Sequence, residues 1–452
     1  MSGEQMSPGA PSRPHCKIAL LVVGHRDYPN DVGLRMAELA AAELSARGVD
    51  LAWERKALLE PWDAAAAAKG LLPMADGVII FLATWVEAPT AIAAIREVEH
   101  LPLAVWGFPM YGPERAESTG SFVAYAVVKA ALERMGQRFV GLAGAVDDAH
   151  VLARAAAFCL AAGALQRLRR ARVGLVGYAS MGMYSGTFSH ALLRRAIGPE
   201  VDQVDTYTLL RRAERYGQEE CEAVLGALRG KARLADMVAE EELCKPARLY
   251  LALREIARER RWDAVNVKCQ YELSQEYGSI ACVPLSLLAE EGLVAGCEGD
   301  IPTTVAQLIL HQLSGQPIYY GDLLDLHDGR ALFSSCGMAP FSLADERGVE
   351  LCEIGFPGFS GIVNTMVLRP GPVTYAQLAE RADGYALIYG TGMGLPSRPR
   401  QGRFPALDVQ LQGEPQRLLA ALAGQHFALA YGDLSEELET LMYLLGMEAI
   451  RI

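Results

Sequence analysis

The sequence predicts an α/β protein: two doubly wound parallel-sheet domains, followed by a smaller β-rich, barrel-like C-terminal domain. Three observations predict it. Short apolar runs rich in Val, Ile and Leu alternate with stretches of helical periodicity up to about residue 320. One long helical stretch, Ala149 to Arg170, separates two such series. Beyond about Asp325, Gly and Pro become frequent and short β-type runs replace the alternation. On this reading residues 1–16 are a disordered leader and 17–170 the N-terminal α/β domain. Residues 171–325 form a central α/β domain carrying the acidic candidates, and 326–452 a β-rich domain with a final helix.

Taken in order, Lys17 to Gly24 (KIALLVVG) reads as a buried strand, and a helix follows over Asp31 to Arg47. Strands at Val49 to Trp53, Asp76 to Leu82, Leu103 to Trp106 and Arg138 to Leu142 then alternate with helices at Trp62 to Met74, Ala88 to Glu97 and Ser121 to Met135. The helix Ala149 to Arg170 ends on Arg167, Arg169 and Arg170, which suits the negative end of its dipole. The second series opens at Arg172 to Gly177 and continues through a helix at Phe188 to Ala196 and a strand near Gln203 to Tyr207. Mixed-charge helices over Arg211 to Arg260 follow. Next come strand Ala264 to Cys269, helix Ala281 to Glu290, strand Leu293 to Cys297, helix Pro302 to Leu313 and strand Pro317 to Tyr320. In the last third, β-type runs fall at Val349 to Glu353, Ile362 to Leu368, Tyr385 to Tyr389 and Leu407 to Leu411, before a helix at Ser435 to Leu445. These short runs suit a sandwich or a barrel.

Of the 452 residues, 51% are hydrophobic and 21% charged, so the composition is globular. The formal charge of −12 lacks the basic footprint of a nucleic-acid binder. No stretch reaches the roughly 18 unbroken apolar residues of a membrane span, so neither nucleic acid nor membrane is an expected partner. Met1 to His15 is Pro/Ser/Gly-rich without the apolar middle of a signal peptide, and reads as a disordered leader or a cloning scar. Nine cysteines without a C-x-x-C pair point to free thiols in a reducing cytoplasm.

Ligands of open parallel sheets bind at the carboxyl ends of strands. Strand Ala264 to Cys269 runs into a segment holding Glu272 and Glu276, and Leu293 to Cys297 runs into Glu298-Gly299-Asp300. If these strands are neighbours, Glu272 or Glu276 converges with Asp300, and hard oxygen ligands there suit Mg²⁺ or Mn²⁺. Asp300 before Ile301-Pro302 is equally a good helix N-cap, and the glutamates can be solvated loop charges. His426, before the apolar Phe427 to Ala430, is a third candidate ligand through neutral imidazole, or a buried His holding a backbone carbonyl. His25-Arg26 lies at the tip of the first strand. Trp85 and Trp106, at strand ends, can stack on a sugar or pack between domains. The loop Tyr178 to Gly186 holds glycines before a helix, yet matches neither G-x-G-x-x-G nor the P-loop.

The order of these segments carries more than each alone. Lys268-Cys269-x-x-Glu272, Cys297-Glu298-Gly299-Asp300, Cys336-Gly337, Gly371-x-Val373-Thr374 and His426-x-x-x-x-Tyr431-Gly432-Asp433 together resemble the L-fucose/L-arabinose isomerase superfamily, in its fucose isomerase-like branch. The resemblance runs from about Lys17 to the C-terminus and is strongest over Val265 to Asp322 and the last thirty or so residues. It implies a divalent metal, usually Mn²⁺ with Co²⁺ or Mg²⁺ as alternatives, held by a Glu, an Asp and a His. Carried over, these are Glu272 (Glu276 as the alternative register), Asp300 and His426. It also implies a homo-oligomer, a trimer or hexamer, in which a neighbour completes the pocket. His25, Arg26, Trp85 and Tyr184 are then substrate contacts. Ser334-Ser335 stands where relatives often carry a His before Cys-Gly, which puts the sugar in question.

The activity so implied is aldose–ketose isomerisation of a monosaccharide through a cis-enediol. Glu272 would be the base, with its pKa raised by partial burial, and Asp300 ligand and proton shuttle. Two other readings stay open at this point: a non-catalytic sugar-binding or regulatory protein of the same fold, and an epimerase or lyase on the same metal site.

Overall fold

The computed structural model describes residues 14–71, 73, 75–110, 118–236, 238–354, 357–399 and 404–452. Residues 1–13 of the expected leader lie outside them, whereas Cys16 already opens the first strand. The chain is α/β with a closed antiparallel barrel near its C-terminus, and it divides into two compact units.

The first unit comprises Ser12–Arg167 and Glu436–Gly446. Its strands are β1 (Cys16–Val23), β2 (Val49–Ala52), β3 (Gly77–Leu82), β4 (Leu103–Gly107) and β5 (Val140–Ala143). Its helices are α1 (Asn30–Ala46), α2 (Pro61–Leu71), α3 (Ala88–Glu97), α4 (Ser121–Arg134) and the start of α5 (Ala149–Arg170). All strands are parallel, in the order β2-β1-β3-β4-β5. The continuous apolar runs follow from that order: β3 is buried at every residue because helices cover both faces of the sheet. By length and composition α5 is apolar enough to cross a membrane, but 72% of its apolar window is buried inside the protein. Phe158, Cys159 and Ala162 of α5 join Phe81 and Trp106 in the core of this unit. The segment 436–446 returns to the same unit, where the Tyr443 hydroxyl donates to the Phe139 carbonyl at 3.0 Å.

The second unit comprises Leu168–Ser435 and Met447–Ile452. Strands β6 (Arg172–Val176), β7 (Glu200–Val204), β8 (Arg233–Leu234), β9 (Ala264–Val267) and β10 (Val294–Cys297) alternate with helices. These are α6 (His190–Ala196), α7 (Thr206–Ala213), α8 (Gln218–Arg229), α9 (Cys244–Arg260), α10 (Cys282–Glu290) and α11 (Ile301–Ser314). Four of the strands form a parallel sheet, β10-β9-β6-β7. The chain leaves β6 first toward β7 and later toward β9, so a topological switch point falls between β6 and β9.

The barrel takes β11 (Tyr319–His327), β12 (Arg330–Ser334), β15 (Gly371–Arg381), β16 (Gly384–Gly394), β17 (Ala406–Leu411) and β18 (His426–Tyr431). Their order is β15-β18-β11-β12-β17-β16, and β15 pairing with β16 closes the ring. Strand β13 (Glu350–Glu353) joins β14 (Ile362–Thr365) and β8 in a small sheet, and β19 (Glu448–Arg451) adds in parallel to β16. Phe333, Tyr375 and Phe427 meet edge to face or tilted inside the barrel. Gly390, opposite Tyr375, makes room for that ring: a Cβ there would lie 2.2 Å from the Tyr375 hydroxyl oxygen. Parallel sheet and barrel share one hydrophobic core.

Two expectations change here. Pro317 to Tyr320, expected to end the central series, leads into β11, which pairs antiparallel with β18 and β12. The strand expected near Gln203 to Tyr207 stops at Val204, because Asp205 caps α7 by accepting the Thr208 N–H at 2.8 Å. Strands β12, β15 and β19 were not anticipated. In β15 both faces are buried through the middle, which removes the polar–apolar alternation that marks a strand.

Asp202 on β7 accepts from Trp262 Nε1 at 2.9 Å and from Arg260 at 2.8 and 3.1 Å. Burial alone would raise this carboxyl, but those donors outweigh it and hold it below its ordinary value. A carboxylate with a lowered folded pKa stabilises above its unfolded pKa and stops doing so as pH falls through the folded one. Asp202→Asn is therefore expected to cost about 2 kcal/mol at neutral pH in urea denaturation. The gap to wild type should shrink below about pH 4.

Candidate active site

The tips of β6, β9 and β10 meet at the switch point of the second unit. After β10 the chain turns sharply through Glu298 (φ 64°) and Gly299 (φ 75°). A Cβ on Gly299 would lie 2.1 Å from the Tyr178 carbonyl oxygen, so only glycine lets this turn press on the loop after β6. Positive φ at Glu298 is backbone strain of the kind that collects at functional sites. Asn266, a buried polar residue in the middle of β9, clamps the turn. Its Nδ2 reaches the carbonyls of Cys297 and Asp300 at 3.0 Å and Thr304 Oγ1 at 2.8 Å, and its Oδ1 accepts the Gly299 N–H at 2.7 Å.

Asp300 caps α11, accepting the Thr303 N–H at 2.8 Å and the Thr303 hydroxyl at 2.9 Å. The same carboxylate takes His426 Nδ1 at 2.8 Å. Asp300 is thus the N-cap that its place before Ile301-Pro302 suggested, and it also orients an imidazole. His426 opens β18 with 1% of its ring exposed, packed against Tyr320 at 4.7 Å between centroids. Its other nitrogen, Nε2, faces Glu298 Oε2 and Asp322 Oδ1, each at 3.3 Å. Asp322 stands directly opposite His426 in the β11–β18 pairing. Burial works against a charged His426 ring, but hydrogen bonds to Asp300 and Glu298 and the charges around it raise the imidazole to about 10. Desolvation, opposed by His426, pushes Asp322 up to about 6.

The structure does not bring Glu272 to this cluster. Glu272 begins a π-helical turn, Glu272–Tyr277, entered through Tyr271 at φ 72°. Its carboxylate is ion-paired with Lys268 and accepts the Tyr178 hydroxyl at 3.1 Å. Burial would raise this carboxyl, but the Lys268 ammonium and the Tyr178 hydroxyl hold it below its ordinary value. That reverses the raised pKa expected of Glu272 as a base. Glu276 is exposed on the same turn.

The other candidates have plain settings. Tyr184, in the loop after β6, is 90% exposed. In the first unit the His25 backbone N–H donates to Thr84 Oγ1 at 2.9 Å, and its ring meets Tyr28 edge-on. Arg26 pairs with Glu60, and the Trp85 backbone N–H donates to the Thr119 carbonyl. Trp106 is fully buried core. Ser334 and Ser335 donate to the carbonyls of Pro405 and Met338 at 3.0 and 2.8 Å, so this position offers backbone support in place of an imidazole. Behind the cluster, thiols of Cys282 and Cys297 hydrogen-bond Cys336 and hold it well below the usual thiol range, against burial.

Among the described residues no group of three or more His, Cys, Asp or Glu is placed to hold a metal ion. The nearest approach is at His426 Nε2. Metal–ligand bonds of about 2.1 Å place neighbouring atoms of an octahedral shell about 3 Å apart, close to the 3.3 Å that separates Nε2 from each carboxylate oxygen. One imidazole with two carboxylates is a donor set suited to Mn²⁺, and a carboxylate on the far ring nitrogen is the usual support of a ligating His. By donor type these residues suit a divalent cation at Nε2, and they would have to draw together around it to close a shell. Asp300 serves in that arrangement as the support. Sequence reasoning missed Asp322 and Asn266, and quoted Glu298 without giving it a role. An Asn inside an otherwise apolar buried strand was the available signal for Asn266.

No family model matches the chain. Relatives do. The chain is 25% identical over 367 residues to a sulfoquinovose isomerase of Clostridium sp. (strain MSTE9), covering 78% of this chain and 81% of that one. It is 26% identical to a sulfoquinovose isomerase of Priestia aryabhattai (63% and 65% covered) and 24% identical to one of Alkalicoccus urumqiensis (69% and 71%). Parallel sheet, barrel and these homologues define the class as sugar aldose–ketose isomerases, which are intramolecular oxidoreductases. Within it, the chain is similar to members of the L-fucose/L-arabinose isomerase superfamily, at about 25% identity over most of its length.

Asn266→Ala removes the acceptor of the Gly299 N–H and one of the donors to the Cys297 and Asp300 carbonyls, and is expected to cost roughly 3 kcal/mol in denaturant unfolding. Gly299→Ala is expected to loosen the loop after β6, read as faster proteolysis there, with little change when Gly226, which has open space around it and ordinary backbone angles, is replaced by Ala.

Proposed function

We propose that this protein interconverts a sulfonated aldose and its ketose at the cluster of His426, Glu298 and Asp322. The reading rests on one observation: a buried imidazole fixed by Asp300 through Nδ1 presents Nε2 to two carboxylates at 3.3 Å. The substrate class comes from the sulfoquinovose isomerases that the chain resembles. His426, Glu298 and Asp322 would hold a divalent cation, Mn²⁺ by preference. When bound, that ion supplies Lewis-acid polarisation of two adjacent sugar oxygens.

The chain's own groups do the rest. Asp300, fixed by Thr303 and the start of α11, keeps the imidazole in one orientation. Asp322 is the carboxylate placed to take the proton from one carbon and return it to the next through a cis-enediol. Glu298, held on its strained turn, completes the acid–base pair in place of Glu272, whose carboxylate is committed to Lys268. Supply of His25, Arg26 and Trp85 by a neighbouring copy in a trimer or hexamer belongs to the same reading, and sedimentation of the protein with substrate tests it.

Wild type is expected to interconvert sulfoquinovose and its ketose, to lose activity on dialysis against EDTA, and to regain it with Mn²⁺. Asp322→Asn and Glu298→Gln should each lower kcat by about 10²–10⁴-fold. Full activity after exhaustive chelation, or in both variants, contradicts the assignment. Product analysis by NMR separates a ketose from an epimer or a cleaved sugar.

A further inference from the structure

The geometry points to Lys268 as the seat for the anionic tail of the substrate, with Glu272 as the counter-ion that this tail displaces. The inference rests on the sulfonated-sugar reading above and assigns the part of the site that meets the charge.

Lys268 follows β9 at the switch point, and its side chain is 0% exposed. A buried ammonium needs partners. Tyr178 accepts from Nζ at 3.0 Å, and the rings of Tyr178 and Tyr271 lie 4.3 and 4.9 Å from it. Glu272 supplies the counter-charge. An ammonium has three N–H donors, so the pair Tyr178 and Glu272 leaves capacity for another acceptor.

Charge makes the assignment. The segments that follow β6, β9 and β10 here, residues 177–189, 268–281 and 298–300, carry Glu272, Glu276, Glu298 and Asp300. Lys268 is the one Lys or Arg in those three segments. An anionic tail reaching these three segments finds in that ammonium the one positive side chain they carry. The tip is shared with the acid–base cluster: the Tyr178 carbonyl presses on Gly299, between Glu298 and Asp300.

The pair is also asymmetric. Lys268 is sealed in by aromatic faces, whereas 38% of the Glu272 side chain is exposed. When a sulfonate arrives, Glu272 can turn out to water while Lys268 stays. The pair thereby keeps the empty site neutral at this point and discriminates for an anionic substituent when filled.

The test compares sulfoquinovose with its uncharged 6-deoxy analogue, which shares the reacting end. Binding of both to the full-length protein is measured by titration calorimetry, beside kcat/KM where turnover occurs. Lys268→Met should weaken sulfoquinovose at least tenfold relative to the uncharged sugar, and Glu272→Gln should strengthen it severalfold by removing the competitor. Equal effects of Lys268→Met on both sugars, or no relative gain in Glu272→Gln, overturn the inference. Should Lys268→Met not fold, Glu272→Gln alone decides. Should wild type bind sulfoquinovose without converting it, the isomerase reading fails, while the calorimetric comparison still decides the seat.

Discussion

The contact between Asp300 and His426 is the constraint on which the site depends. It joins residues 126 positions apart, at 2.8 Å, from the helix-capping turn after β10 and from the first residue of a barrel strand. Because Asp300 is held by Thr303 and the turn by Asn266, the imidazole has one available orientation. Only with Nδ1 fixed does Nε2 point at Glu298 and Asp322. Sheet and barrel share a core in this unit, so the two halves of the contact are kept in register by packing as well as by charge.

Two acidic environments result from this arrangement, and they differ in kind. Asp322 sits against barrel wall and imidazole, where loss of water favours its protonated form. Glu272 sits beside an ammonium and a phenol, where its ionised form is favoured. Pushing carboxylates apart in this way suits the two roles proposed for them, proton transfer and charge recognition. Strain at Glu298 and Tyr271, each at positive φ, falls on the turns beside the two proposed sites.

Much of this was legible in the sequence, and what was not has physical reasons. Strand and helix alternation gave the α/β sheets because parallel strands buried on both faces leave unbroken apolar runs, as in β1 and β3. Asp300 and His426 stood out by motif order. Asp322 did not, because its strand was assigned to the sheet; it belongs to the barrel, and only the antiparallel pairing of β11 with β18 sets Asp322 opposite His426. Glu272 was favoured by its distance from Lys268-Cys269, yet that same spacing closes an ion pair across the π-helical turn. Burial of the Lys268 ammonium depends on Tyr178, ninety residues earlier in the chain, which no local pattern reports.

The central claim is tested most directly by a crystal structure of the protein soaked in Mn²⁺, with data collected at the manganese absorption edge. The account predicts one anomalous peak per chain at about 2.2 Å from His426 Nε2, with Glu298 and Asp322 in its shell and Asp300 still on Nδ1. A peak bound instead by Glu272 and Asp300, or density showing Asp300 parted from His426, would contradict it.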